Sequence, residues 1–171
     1  MSFDNALKFV LLEEGGYVNN PHDSGGATNH GVTQSVYDDY RKQRNLPVQD
    51  VQLITDAETR ELYENNYWEP SKAQLMHSPL DCAHFDWCVN HGVQGALKTL
   101  QAALGVTADG VWGPQTAAAL AVADTVETAH AYNTLRREWY NNRVKQRGDQ
   151  AVFLTGWLGR VDRLDAYMET L

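Results

Sequence analysis

The sequence of 171 residues lacks long apolar runs, and no stretch approaches the roughly 20 consecutive apolar residues that a membrane-spanning helix requires. It also lacks a disulfide framework. Its two cysteines, Cys82 and Cys88, lie six residues apart on a predicted helix, so their side chains point in different directions. We therefore expect no stable membrane insertion and a fold that needs no covalent cross-link.

Basic residues are scarce as well. The chain has 14 lysines and arginines against 22 aspartates and glutamates, which gives a net charge of −8. A surface that binds nucleic acid needs an excess of positive charge, so we exclude nucleic acid as a partner. The densest basic cluster is interrupted by acidic residues and is typical of a solvated helix face; it comprises Arg136, Arg137, Arg143, Lys145 and Arg147.

The apolar pattern predicts a mainly α-helical protein. Apolar residues recur at helical spacing over residues 3–14, up to a stop at Gly15 and Gly16. Further helices are predicted from Thr33 to about Arg44, from the capping box Thr55–Glu58 to Pro70, over residues 79–91, on both sides of the turn Asp109–Gly110, and from the capping box Asp124–Glu127 to about Arg147. The predicted buried stripe of the last helix comprises Ala131, Leu135, Trp139, Tyr140 and Val144.

Residues 14–33 separate the first two helices with glycines, carboxylates and small hydroxyl residues, and we interpret this stretch as an irregular β or loop region that carries the active site. Glu14 lies four residues after Val10 and therefore continues the apolar face, whereas Glu13 is turned away by about 100°. Partial burial and the negative end of the helix dipole both disfavour the ionised carboxylate of Glu14. These surroundings favour a general acid.

Asp23 follows Glu14 by nine residues, across a turn-forming Asp-Ser-Gly-Gly sequence. A reversal of the chain there is expected to bring Asp23 back opposite Glu14. Two carboxyl groups that face each other, one protonated and one ionised, are what glycoside hydrolysis requires. We therefore assign Asp23 as base, nucleophile or electrostatic partner, and Thr28 as a residue that positions water.

The candidate substrate-binding residues lie in this loop and in the helix predicted over residues 79–91. They are Tyr17, His30, Asp86 and Asn90. Three large aromatic residues, Tyr63, Tyr67 and Trp68, either stack on sugars or pack in the core, and their helical spacing favours the core.

The helix over residues 79–91 also aligns His84, Cys88 and His91 on one face, which raises the possibility of a zinc site. A structural zinc ion takes four ligands, and no fourth ligand stands at a recognisable spacing. We favour a packed helix face and predict neither a metal nor a cofactor.

The stretch from Glu14 to Thr33 reads EGGYVNNPHDSGGATNHGVT and resembles the signature of the glycoside hydrolase family 108 muramidases. These are lysozyme-like proteins of bacteria and prophages that include secretion activators. The resemblance implies a lysozyme-like helical globule in which Glu14, the glutamate of Glu-Gly-Gly-Tyr, is the catalytic acid. The order of Glu14, Asp23 and Thr28 also resembles phage T4-type lysozymes, in which the threonine lies one residue further along.

Residues 96–120 resemble the helical peptidoglycan-binding repeat, and the last segment resembles the closing helix of the muramidase family. We expect a catalytic segment over residues 1–80 and a peptidoglycan-binding-like segment over residues 81–171. No stretch has the composition of a linker, so the two segments should pack as one globule.

The resemblance implies an N-acetylmuramidase that hydrolyses the β-1,4 glycan strand of peptidoglycan, as an endolysin or a secretion activator. The first residues lack the features of a secretory signal, so we expect synthesis in the cytoplasm and action at the cell wall or periplasm after export or release, with a holin or export machinery as a further partner. Two alternatives stay open. One is a non-catalytic wall-binding or secretion-helper protein on the same scaffold, and the other is a lytic transglycosylase.

Overall fold

A computed structural model describes residues 2–19 and 26–171 and confirms the mainly helical fold. The helices are α1 (Ser2–Glu14), α2 (Gln34–Gln43), α3 (Asp56–Tyr63), α4 (Glu69–Ser71), α5 (Leu80–His91), α6 (Val93–Ala103), α7 (Pro114–Ala123), α8 (Val126–Gln146) and α9 (Ala151–Met168). Within the described ranges, no helix is both long enough and apolar enough to cross a membrane.

Helix α5 is the centre of the molecule. Every residue from Leu80 to Cys88 is buried, and α5 packs against α1, α6, α8 and α9. A helix that is buried all round needs partners on every side. The elements that surround α5 therefore come from both halves of the chain.

The small β region follows α1. Strands β1 (Thr28–Asn29) and β2 (Val32–Thr33) form an antiparallel hairpin. Val18 pairs with Thr28 in an antiparallel bridge through two backbone hydrogen bonds of 2.8 Å. Asp23 lies outside the residues that the structure describes.

The helix continues one residue beyond the predicted stop at Pro70, to Ser71. Helix α3 begins with the predicted capping box and passes through one π-helical turn, Glu64–Trp68, directly into α4. Pro70 lies in the first turn of α4, where its missing N–H group is not required. Tyr63 and Trp68 are buried in the core as predicted, and Tyr67 is partly buried against it.

The connection between α6 and α7 is held by one buried amide. Gln101 accepts a hydrogen bond of 2.7 Å from the Gly110 N–H and donates to the side chains of Asp109, at 2.8 Å, and Thr116, at 3.0 Å. Gly105 follows α6 with a φ of +70°, and Pro114 is the first residue of α7. The predicted pair of helices around a turn at Asp109 and Gly110 is confirmed.

Helix α8 differs from its prediction at both its cap and its buried face. Thr125, rather than Asp124, accepts the capping hydrogen bond, whereas Asp124 accepts bonds of 2.8 and 2.9 Å from His77. The buried residues are Ala129, Tyr132, Asn133, Arg136 and Tyr140, so only Tyr140 of the predicted stripe is buried.

The buried face of α8 carries polar residues because other helices satisfy them. Asn133 donates to Asp165 at 2.6 Å, and Arg136 donates to Asp86 at 2.6 Å. Hydrophobic periodicity does not detect such a face. The prediction that Arg136 belongs to a solvated basic surface is therefore wrong.

Candidate active site

Glu14 is the last residue of α1, and its side chain is 23% exposed. The chain then turns away at Gly15, which has a φ of +74°. The preceding residue, Glu13, is held by two hydrogen bonds from Arg163, at 2.7 and 2.6 Å. The two adjacent glutamates therefore have different partners, in line with their helical phase.

The hairpin turn lies directly against Glu14. Gly31 has a φ of +75°, and a Cβ atom at this position would lie 3.0 Å from Glu14 Cγ and 3.1 Å from Oε2. The same Cβ would collide with Tyr63 Oη, which donates a hydrogen bond of 2.9 Å to the His30 carbonyl. Glycine therefore allows the turn to approach the acid, and Tyr63 fixes the turn in place.

Arg160 of α9 is the cation that pairs with Glu14. Its Nη1 donates to Glu14 Oε1 at 2.8 Å, and its Nε and Nη2 donate to Asp86 Oδ1 at 3.0 and 2.8 Å. The other oxygen of Asp86 accepts a bond of 2.6 Å from Arg136, and both of these side chains are fully buried. Arg160 therefore joins the carboxyl group of Glu14 to the fully buried ion pair of Asp86 and Arg136.

Two tyrosines also lie near Glu14. Burial, followed by the negative charge of Glu14, raises the pKa of Tyr63 and of Tyr67. Burial lowers the pKa of Arg160, but the charges and hydrogen bonds of Asp86 and Glu14 together raise it by more than burial lowers it. The net shift of the Arg160 pKa is therefore upward. The tyrosines therefore stay neutral and Arg160 stays charged at any pH where a glycosidase works.

The candidate binding residues lie at different depths. Tyr17 and Asn90 are exposed, His30 is partly buried in the hairpin turn, and Asp86 is fully buried. The Asn90 amide donates to the Asp86 carbonyl at 2.7 Å. Burial leaves Asp86 no surface for a glycan to contact, so in this structure it supports Arg160 instead.

Thr28 is partly buried at the start of the hairpin, where its backbone pairs with Val18 and Thr33. Two cavities flank the turn that follows. One of about 490 Å³ is lined by His30 together with Leu11 and other residues of α1, and the other, of about 150 Å³, is lined by Gly31, Tyr63 and Tyr67 among others. The hairpin therefore forms a wall beside Glu14 with space on both of its sides.

The histidine and cysteine face of α5 is packed against its neighbours. His84 Nδ1 lies 3.0 Å from Tyr132 Oη, and Nε2 lies 3.1 Å from the Ser71 carbonyl oxygen. Burial lowers the pKa of His84 to about 4 and raises the pKa of Cys88 to about 12. In the described part of the chain, no group of three or more histidine, cysteine or acidic side chains is arranged to hold a metal ion.

Sequence reasoning missed Arg160 and misassigned Arg136. The spacing of the sequence could have indicated that Arg136 is buried. Arg136 lies four residues from both Tyr132 and Tyr140, in the middle of a buried helix face. Arg160 likewise lies four residues before the buried Leu164. A charged residue in an apolar phase indicates a buried ion pair, but the sequence does not reveal its partner.

Comparisons with known proteins identify the family of this chain. Residues 7–92 match the family described as "Glycosyl hydrolase 108", and residues 95–162 match the family described as "Predicted Peptidoglycan domain". Among the solved structures that match is SagA of Brucella abortus, at 30% sequence identity and a TM-score of 0.77. The match covers 98% of this chain and 94% of SagA. No curated protein sequence matches the chain.

Proposed function

Because this chain belongs to the glycosyl hydrolase 108 family, we propose that it is an N-acetylmuramidase that hydrolyses the β-1,4 glycan strand of peptidoglycan with Glu14 as general acid. The observation that supports this proposal is the position of Glu14. Its carboxyl group is partly exposed at the end of α1, between the hairpin turn at Gly31 and the guanidinium of Arg160. A candidate catalytic acid must be both accessible and fixed in its geometry, and this position provides both.

The two carboxyl oxygens of Glu14 have different roles in this mechanism. Oε1 accepts the hydrogen bond from Arg160, and among residues 2–19 and 26–171 Oε2 accepts none. Oε2 faces the hairpin turn, so it is the oxygen that carries the proton toward the glycosidic bond. The Glu14 proton passes to the leaving oxygen as the bond between that oxygen and the anomeric carbon breaks.

A water molecule completes the hydrolysis. In an inverting enzyme its oxygen bonds to the anomeric carbon as the glycosidic bond breaks, and the partner carboxylate takes up one of its protons. In a retaining enzyme the partner carboxylate first bonds to the anomeric carbon as the glycosidic bond breaks; the water oxygen then replaces the carboxylate, whose bond to the anomeric carbon breaks, and the ionised Glu14 takes up a proton of the water. Asp23 is our candidate for the partner, and Thr28 is our candidate for orienting the water. Tyr17, His30 and Asn90 are the proposed contacts to the glycan.

Substitution of Glu14 tests the acid directly. Glu14→Gln keeps the shape of the side chain and an oxygen that accepts from Arg160, but it has no proton to donate. We expect release of reducing sugar from purified peptidoglycan to fall by about 10²- to 10⁴-fold, with an unchanged circular dichroism spectrum. The matched control is Glu13→Gln, the same change one residue earlier in α1, which should leave sugar release near the wild-type rate. Full activity of Glu14→Gln would remove Glu14 from the mechanism.

One observation favours a second candidate function. Glu14 Oε1 is held by Arg160 in an ion pair of 2.8 Å, which joins the end of α1 to α9. A non-catalytic wall-binding or secretion-helper protein would need this ion pair only to hold the two helices together. Cosedimentation of the wild-type protein with purified sacculi, without any release of reducing sugar, would identify this second function.

A further inference from the structure

Glu14, Arg160, Asp86 and Arg136 form one continuous row of alternating charges. The row runs from the partly exposed carboxylate of Glu14, through Arg160, to Asp86 and Arg136, which are both fully buried. The three ion pairs that link the row measure 2.8, 2.8 and 2.6 Å. The hydrogen bonds of Arg160 to two different carboxylates fix its planar guanidinium in one orientation.

The balance of charge in this row depends on Glu14. Two guanidinium groups and one carboxylate, Asp86, leave one excess positive charge in a largely buried place, and the ionised Glu14 neutralises it. A buried charge without a partner is costly, so the row holds the Glu14 carboxylate in position.

Arg160 comes from the part of the chain that is matched to the predicted peptidoglycan domain. Glu14 and Asp86 lie within residues 7–92, whereas Arg136 and Arg160 lie within residues 95–162. The two matched ranges therefore meet at the candidate catalytic acid.

We propose that Arg160 is a positioning residue for Glu14, so that the C-terminal segment completes the active site instead of serving only as a wall-binding module. This inference rests on the proposed role of Glu14 as the acid. Arg160 fixes the orientation of the Glu14 carboxylate. Acting through Arg160, the buried Asp86 and Arg136 contribute to the same positioning.

The pH dependence of Glu14 also involves its other neighbours. Tyr63 and Tyr67 stay neutral because their pKa values are raised by burial and by the charge of Glu14. Glu13 is neutralised by Arg163, so that pair contributes little field at Glu14. Among the described residues, the charged and titratable groups packed around Glu14 are His30 of the hairpin turn, Tyr63 of α3, Tyr67 of the π-helical turn, Asp86 of α5 and Arg160 of α9, whereas Glu13 and Arg163 pair with each other.

The test compares three variants of the full chain. Arg160→Met removes the cation at Glu14, Arg160→Lys keeps the charge but loses the planar fork, and Arg163→Met is the matched control one turn away, on the pair with Glu13. The first measurement is an NMR titration of the Glu14 carboxyl carbon, which needs no enzymatic activity. The second is the rate of sugar release from purified peptidoglycan as a function of pH.

We expect the titration midpoint of Glu14 to be higher in Arg160→Met than in the wild type by roughly 1 to 3 pH units, because an adjacent arginine typically lowers the pKa of a carboxyl group by about that much. The basic limb of the activity profile should move in the same direction. Arg160→Lys should bring the Glu14 midpoint most of the way back to the wild-type value but leave sugar release below the wild-type rate, because an ammonium lacks the rigid planar set of donors that fixes both carboxylates. Arg163→Met should match the wild type in both measurements.

The inference is overturned if the Glu14 midpoint in Arg160→Met equals that of the wild type, or if Arg163→Met shifts it equally. Absence of sugar release by the wild-type protein would instead refute the proposed function. The NMR titration still decides the role of Arg160 in that case, so the two failures are distinguishable.

Discussion

At the scale of single residues, one carboxyl oxygen of Glu14 accepts a hydrogen bond from Arg160, and the side chain is still 23% exposed. Helical phase separates Glu14 from Glu13 in the sequence alone, and the structure gives each glutamate its own arginine. Neither arginine was predictable, because Arg160 is 146 residues away from Glu14 and Arg163 is 150 residues away from Glu13. Pairs so distant in sequence are formed by tertiary packing, and local periodicity carries no information about them.

Asp81 gives a prediction at this scale that concerns stability. The residue is buried, its Oδ1 accepts from the Cys82 N–H at 2.6 Å, and within the described residues its Oδ2 has no hydrogen-bond partner. Burial raises its pKa to about 6. The folded protein therefore keeps the Asp81 proton to a higher pH than the unfolded chain does, and this residue's contribution to stability is lost as the pH rises from about 4 to about 6.

The variant Asp81→Asn removes this contribution because an amide does not ionise. We expect the free energy of unfolding of the variant, minus that of the wild type, to rise by about 2 kcal/mol between pH 4 and pH 6 and to stay level above. Urea unfolding at a series of pH values measures this difference.

His84 contributes with the opposite pH dependence, because burial lowers its pKa to about 4, but its contribution is the same in both proteins and cancels. Asp39→Asn, at an exposed aspartate, is the control and should show no such rise. A pH-independent difference for Asp81→Asn would contradict the account.

At the scale of elements, the hairpin turn and the end of α1 form one unit through Gly31. We expect Gly31→Ala to lower sugar release at least about 10-fold, because the added Cβ pushes against Glu14 and Tyr63 and small misplacements of catalytic groups are costly. It should also destabilise the protein by about 1–3 kcal/mol, because a φ of +75° strains alanine. The measurements are sugar release from purified peptidoglycan and urea unfolding.

Gly105→Ala is the matched control for that prediction. Gly105 also has a positive φ, of +70°, but a Cβ there has no heavy atom within 4 Å and lies at the end of α6. It should lose stability through backbone strain and keep its activity. Equal losses of activity in both variants would show that the contact of Gly31 with Glu14 is unimportant.

The elements differ in how well the sequence predicts them. Helices whose signals are local, such as α1 with its apolar spacing and α3 with its capping box, are correct to within a few residues. Helix α8 is correct in its extent but not in its buried face, because Asn133 and Arg136 are buried by ion pairs and hydrogen bonds with other helices. A polar residue that gains its partner only on folding has the same local pattern as a solvated one.

At the scale of the whole molecule, α9 returns to the start of the chain. Arg160 and Arg163 bind Glu14 and Glu13, and Tyr167 Oη donates to the Asn5 carbonyl at 3.0 Å. These contacts join the last helix to the first helix of the chain. The sequence does not predict that the packing passes through the candidate catalytic residue, because that requires the register of α9 against α1.

Mass spectrometry of the fragments from a peptidoglycan digest tests the central claim most directly. For the wild-type protein we predict fragments that end in a reducing N-acetylmuramic acid and have gained one water at each cleavage, and no such fragments from Glu14→Gln. Anhydro-muramic ends would identify a lytic transglycosylase, and reducing N-acetylglucosamine ends would identify cleavage of the other glycan bond. Either of these results, or an undigested wall with bound protein, would contradict the proposal that this chain is a muramidase with Glu14 as its acid.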